Sequence, residues 1–217
     1  MPTASAAPDP PRACALCPRL VQFRTTNRHA HAEWHNAPVP AFGALDVRLL
    51  IVGLAPGLKG ANRTGRPFTG DFAGRLLYPS LLKAGLAAGQ YEESAADRLR
   101  LRDCRVTNAV RCVPPANRPL PDEFARCRPF LLREIDAMPK LRCILALGAQ
   151  AHAQCLAVFG LAPRARWPFA HGAVHEFDGG PVLVDSYHCS RQNTNTGRLT
   201  EAMFDRVVAE AKRRIDD

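Results

Sequence analysis

The sequence predicts an α/β fold with a largely parallel sheet. Short apolar runs recur at residues 48–54, 104–110, 142–147 and 181–185. Helical patterns separate most of them, and strands alternating with helices imply parallel crossover connections. The loops richest in polar residues and glycine follow these runs, and in such sheets ligands bind beyond the carboxyl ends of the strands.

Taken in order, residues 1–12 are small and rich in Pro and Ala, and read as a disordered tail before one domain spanning 13–217. RLLIVGL (48–54) is a buried strand ending in glycine. The connection 55–71 that follows, APGLKGANRTGRPFTGD, is long for a strand-to-helix turn, and long ordered loops are usually functional. Residues 72–86 form a helix with Phe72, Leu76, Leu77, Leu81 and Leu82 on one side. After the strand at 104–110, Pro121 opens a helix whose first turn carries Asp122 and Glu123. Phe124, Leu131, Ile135 and Met138 mark its apolar face. RCILAL (142–147) is a third strand and 148–159 the helix after it. Residues 174–177 and 181–185 flank Asp178-Gly179-Gly180 as a candidate hairpin. The last helix covers 199–215, with Met203, Phe204, Val207, Val208, Ala211 and Ile215 inward.

Composition narrows the function. The chain has 217 residues, 47% of them hydrophobic, which suffices for one core and excludes a wholly disordered chain. No apolar run approaches the ~18–20 residues of a membrane span. Lys and Arg number 29 against 20 Asp and Glu, a net charge of +9 that favours a polyanionic partner, most simply nucleic acid. The N-terminus has no basic segment followed by an apolar one, so a cytoplasmic protein with reduced cysteines is expected.

Three constellations carry chemistry. The 55–71 loop allows close backbone approach to a ligand and ends in Phe68 and Asp71, but it lacks the GxxxxGK[ST] spacing of a P-loop. Phe68 alone could be core, and Asp71 alone a helix cap. The stretch YHCSRQNTNTGRLT (187–200) joins one imidazole to hydroxyls, amides and arginines suited to phosphate contact. Among eight cysteines, Cys14 and Cys17 form a C-x2-C pair, and Cys112 and Cys127 flank a Pro-rich stretch. Four thiolates can hold a [4Fe–4S] cluster or a structural Zn²⁺. Cys143 and Cys155 read as core, while Cys104 and Cys189 are left unassigned.

Together these segments resemble the uracil-DNA glycosylase superfamily, and within it family 5, the iron–sulfur "b" class. GLAPGLKGANRTGRPFTGD is similar to that family's first motif and HCSRQNTNTGRLT to its second. TNAVRCVPPANRPLPDEFARC resembles the segment that families 4 and 5 use for base reading and cluster binding. The likeness runs from about Cys14 to the final helix. It implies a three-layer α/β/α fold around a four-stranded, mainly parallel sheet. It also implies a monofunctional hydrolase that excises uracil, and other deaminated bases such as hypoxanthine, from DNA and leaves an abasic site. A monomer is expected.

The resemblance implies residue roles as well. The target nucleotide must leave the stack before its N-glycosidic bond can be reached. Phe68 would stack on the base, Asn108 would hydrogen-bond its Watson–Crick edge, and the backbone of Gly53, Ala55 and Gly57 would contact base or sugar. His188 would donate to the base oxygen where negative charge builds. Asp71 would position water or steady the oxocarbenium-like sugar. Arg63, Arg66, Ser190, Arg191, Gln192, Asn195 and Arg198 would face DNA. Cys14, Cys17, Cys112 and Cys127 match the positions of a structural [4Fe–4S] cluster, with zinc as the alternative. Family 4 would carry an acid where this chain has Leu54, and the apolar pair Leu54-Ala55 is the family 5 pattern. A non-catalytic DNA-binding protein of the same fold would not need Phe68, Asn108 and His188 together.

Overall fold

The computed structural model describes residues 8–161 and 166–217. Four parallel strands make the sheet: β1 (Leu49–Gly53), β4 (Cys104–Asn108), β5 (Cys143–Leu147) and β7 (Val182–Ser186). A two-residue strand, β6 (Val174–His175), adds antiparallel to β7, so the order is β4-β1-β5-β7-β6. The expected hairpin around Asp178 is this β6–β7 pair, and it makes the sheet five-stranded where four were implied. A separate ribbon pairs β2 (Ala87–Ala88) with β3 (Arg100–Leu101).

Side chains alternate across a strand, and that alternation builds the layers. Leu49 and Ile51 of β1 face the helices α3 (Gly74–Lys83) and α7 (Glu201–Asp216), with Leu77, Leu81, Phe204 and Val208. Leu50 and Val52 face the other side, with Leu20 of α1 (Pro18–Ala30), Phe124 and Leu131 of α4 (Pro121–Asp136), and Leu156 of α5 (Ala149–Val158). All five residues of β1 are buried, as a strand covered on both faces requires. The result is a three-layer α/β/α fold.

Several expected boundaries shift. The helix read at 72–86 begins at Gly74, which releases Phe72 to a surface cleft. The strand read at 104–110 ends at Asn108. Helix α1 had no counterpart in the sequence reading, because it lacks an apolar stripe: its buried residues are Leu20, Arg24 and Asn27. Cys143 and Cys155 are wholly buried, as expected. Cys104 is also core, its thiol donating to the Leu86 carbonyl at 3.1 Å, and Cys189 is buried in the α3–α7 layer.

The tail expected at 1–12 is ordered where it is described. Residues 1–7 lie outside the described residues. Asp9 accepts from the Ala41 N–H at 3.0 Å and from Arg111 at 2.6 Å, and Arg12 donates to the His35 carbonyl. Charge holds this segment down, which is why its composition did not reveal it. The anchor is deep: Glu134 of α4 is fully buried and accepts from Arg105 of β4 at 2.7 Å and from Arg111. A second buried group ties the far edge, where Asp185 of β7 accepts from His152 and His175 at 2.9 and 3.0 Å.

Removing one partner of such a pair strands the other in low dielectric. Glu134→Ala is expected to lower unfolding stability by about 3–5 kcal/mol, because two buried guanidiniums lose their one fully buried carboxylate and keep only the partly exposed Asp9. Urea denaturation measures this, and a loss below about 1 kcal/mol would mean that the arginines find water instead.

Candidate active site

One cleft of about 530 Å³ opens beyond the carboxyl ends of β1 and β4. Its walls come from three separate connections. The 55–71 loop supplies Ala55, Gly57, Phe68 and Asp71, the end of β4 supplies Asn108, and the segment after β7 supplies His188, Ser190, Arg191 and Gln192.

Glycines set how closely these parts approach. A Cβ on Gly53 would stand 2.4 Å from the Phe68 ring and 2.5 Å from Asn108 Oδ1, so only a bare backbone lets the two meet over the end of β1. A Cβ on Gly60 would stand 2.3 Å from Asp71 Oδ2, so that carboxylate occupies the space a side chain would take.

Phe68 holds a left-handed backbone, with φ of +51°, a conformation that costs a phenylalanine of order 1–3 kcal/mol. Its neighbours enforce it. The Tyr78 hydroxyl donates to the Pro67 carbonyl at 2.5 Å and the Tyr91 hydroxyl to that of Phe68 at 3.1 Å. Arg66 donates to Thr69 through Nε and to both oxygens of Asp97 at 2.7 Å. Its guanidinium also lies 5.0 Å above the Phe42 ring and 5.6 Å above that of Tyr78. Burial opposes the Asp97 charge, but the guanidinium and the N–H groups of Glu92 and Leu99 outweigh it and hold the carboxyl below its usual range. This corrects the expectation for Arg66: only 6% exposed and bound to Asp97, it faces inward and is not presented to a DNA backbone.

The other expected DNA contacts divide. Arg191 is exposed at the cleft and lies 5.5 Å over the Phe72 ring, with Gln192 beside it. Ser190 also lines the cleft, but its hydroxyl caps the short helix α6 (Arg191–Asn195). Arg63, Asn195 and Arg198 are exposed outside the lining, and Arg198 lies 4.5 Å over the Tyr187 ring. The structure adds residues that the sequence reading did not select. Asn117 and Arg118 line the cleft from a loop in which Ala116 and Asn117 both have positive φ. A left-handed turn without glycine leaves no sequence signature.

Two titratable groups in the cleft are displaced, both by burial. Desolvation raises the Asp71 carboxyl above its usual range, although the Gly74 and Ala73 N–H groups pull it down and Glu93 adds to the rise. Desolvation lowers His188 to about 4, so its imidazole is neutral near pH 7. Among the described residues, neither the His188 ring nor the Asn108 side-chain amide has a hydrogen-bonding partner within the protein, and both line the cleft.

The four expected cysteine ligands also meet. Cys14, Cys17, Cys112 and Cys127 line one cavity with Leu20, Arg24 and Phe130, and the Arg111 N–H donates to the Cys127 sulfur at 3.4 Å. The N-terminal segment and the start of α4 thus converge at one point.

A parallel sheet with an aromatic ring, a carboxylate, an amide and a neutral imidazole around one cleft beyond its strand ends defines an α/β protein with a mixed aromatic and polar ligand site. Comparison with known families is specific: the Uracil DNA glycosylase superfamily model matches residues 40–212, and the chain belongs to that superfamily. It is 49% identical over 206 residues to a type-5 uracil-DNA glycosylase of Thermus thermophilus, covering 93% of each chain. A type-5 relative from Mycobacterium bovis is 44% identical over 92% of this chain and 77% of its own. A type-4 uracil-DNA glycosylase of Thermotoga maritima is 35% identical over 68% of this chain and 67% of its own. The chain stands with the type-5 branch.

The Asp71 shift has a stability consequence. An acid whose folded pKa is raised costs stability once pH exceeds its unfolded value of about 3.9, and the cost is complete above its folded value. Asp71→Asn is therefore expected to raise the melting temperature at pH 7–8 and to match the parent near pH 3. Thermal scans across that range test it, and equal melting at every pH would show the carboxylate to be well solvated.

Proposed function

We propose that this chain is a monofunctional DNA repair glycosylase that hydrolyses the N-glycosidic bond of flipped-out uracil, leaving an abasic site. The carrying observation is that Phe68, Asp71, Asn108 and His188, contributed by three connections, line one cleft. Type-5 naming of its relatives supports the same reading. Hypoxanthine and other deaminated bases belong to the proposed substrate range. The proposal is of a monomer acting on DNA in the cytoplasm; no described helix is long and apolar enough to cross a membrane.

The chemistry follows from the placement. An extruded base stacks against Phe68 while the free amide of Asn108 reads its edge. As the bond to the sugar lengthens, negative charge grows on the base oxygen and positive charge on the sugar. A neutral imidazole at His188 donates to that oxygen without surrendering a full proton. The Asp71 carboxylate, desolvated among glycines, stabilises the sugar cation or aligns the attacking water. Asn117 adds an amide on the same rim. Leu54 lines the cleft with no acid to offer, which favours this assignment of Asp71 over a family 4 arrangement. Arg63, Arg191, Gln192, Asn195 and Arg198 are the proposed phosphate and duplex contacts.

The four cysteines fit a structural [4Fe–4S] cluster, which would supply a cross-link between the N-terminal segment and α4 when bound. Their cavity is mostly apolar, and no three of the sulfurs lie within 4.8 Å of one another.

An excision panel of duplexes, each with one lesion, tests the function through abasic-site cleavage. Asp71→Ala is expected to lower uracil excision by orders of magnitude with duplex binding retained, and near-normal turnover would sink the assignment. Phe68→Ala is expected to cost about 1–3 kcal/mol of transition-state stabilisation, the worth of one stacked base. The raised Asp71 carboxyl sets the acid limb of kcat/KM above the usual carboxylate range, because only the ionised form acts. A pH profile flat down to about 4 would contradict that role. DNA binding is expected to weaken steeply with salt, and Arg191→Ala to flatten the salt slope by about one.

A further inference from the structure

Among the described residues four arginines are buried: Arg24, Arg66, Arg105 and Arg111. Arg66 pairs with Asp97, and Arg105 and Arg111 share Glu134. Arg24 has no carboxylate within ion-pair distance among the described residues, and the undescribed residues 1–7 and 162–165 contain no Asp or Glu. A buried cation without a counter-charge costs several kcal/mol on the order of what a buried ion pair recovers. An anion beside such a group offsets that cost.

Arg24 borders the cavity of the four cysteines. Arg24 is 4% exposed and stands on α1 with Leu20 and Val21, on the face that follows Cys17. All four residues line the cavity that also holds Cys14, Cys112 and Cys127. Nη2 donates to the Cys14 carbonyl at 2.6 Å, while Nε and Nη1 are buried with no partner at all. Two idle, charged donors therefore border a cavity ringed by four thiols. A cubane cluster held by four thiolates is a net dianion whose sulfurs accept hydrogen bonds, and such bonds and nearby charge set cluster stability and potential.

We propose that Arg24 is the buried counter-charge of the iron–sulfur cluster, holding its thiolate shell and raising its reduction potential. This rests on the cluster reading above. No redox step in base excision is implied. The guanidinium stabilises the dianion, and it stabilises the more negative reduced state further still. Arg24 is thus a positioning residue for the cluster and has no contact with the base.

Two variants separate charge from shape. Arg24→Gln keeps a hydrogen-bonding side chain and removes the charge; Arg24→Lys keeps the charge. Iron and acid-labile sulfide per chain, iron loss to a ferrous chelator, and the midpoint potential followed by electron paramagnetic resonance are the readouts. Arg24→Gln is expected to lose iron about tenfold faster, the worth of one hydrogen bond to a charged group, and to shift the midpoint to more negative potential. Arg24→Lys is expected to stay near the parent in potential. A brown Arg24→Gln protein with parental midpoint and iron retention overturns the role of Arg24 alone. If Arg24→Lys shifts as far as Arg24→Gln, the side chain serves only to hold the Cys14 carbonyl, and the counter-charge role is overturned. A colourless parent with one zinc per chain overturns the cluster reading and this inference with it.

Discussion

The active cleft hangs on the Arg66–Asp97 ion pair. The loop from Ala55 to Asp71 must present a phenyl ring, a carboxylate and bare backbone to one ligand, and nothing in its composition makes that conformation stable by itself. Arg66 resolves this by reaching both oxygens of Asp97 at 2.7 Å, with Nε on Thr69, beneath the rings of Phe42, Tyr78 and Tyr91. A bidentate, sandwiched guanidinium has little freedom left, so the backbone on either side of it is held too. That rigidity carries the left-handed Phe68 and brings Asp71 under Gly60.

The same device recurs across the molecule. Apolar layers on both sheet faces supply the bulk of cohesion, but the segments that shape the cleft and its supports are fixed by buried polar links. Glu134 joins β4 to Arg111 in the connection after it, and through Arg111 and Asp9 it fastens the N-terminal segment. Arg19 pairs with Glu123 at 2.7 Å and donates to the Arg118 carbonyl, so α1 also steadies the loop bearing Asn117. The proposed cluster would reinforce this same corner. Function is thus purchased with desolvated charge: Asp71 is a carboxylate kept poorly solvated, and His188 in the same cleft is a histidine that cannot hold a proton near neutrality.

The comparison of sequence with structure turns on what a pattern can encode. The strands at β1 and β5, the helices α4, α5 and α7, and the chemistry-bearing loops were legible because apolar period and glycine spacing are local properties. Helix α1 was not, since its inward residues include Arg24 and Asn27, which read as polar surface. Arg66 read as a phosphate contact for the same reason: an arginine's charge is visible in a sequence, but its partner 31 residues away is not. Asn117 went unselected because a left-handed turn at Ala116 and Asn117 has no glycine to announce it.

By itself, the sequence determined the α/β class, the superfamily motifs, the identities of Phe68, Asp71, Asn108 and His188, and the four cysteines. These follow from residue type and spacing along the chain. Tertiary structure alone decided that the three connections share one cleft, that Asp71 and His188 titrate away from their usual ranges, and which arginines face in. Burial and long-range pairing govern those outcomes, and neither exists until the layers close around the sheet.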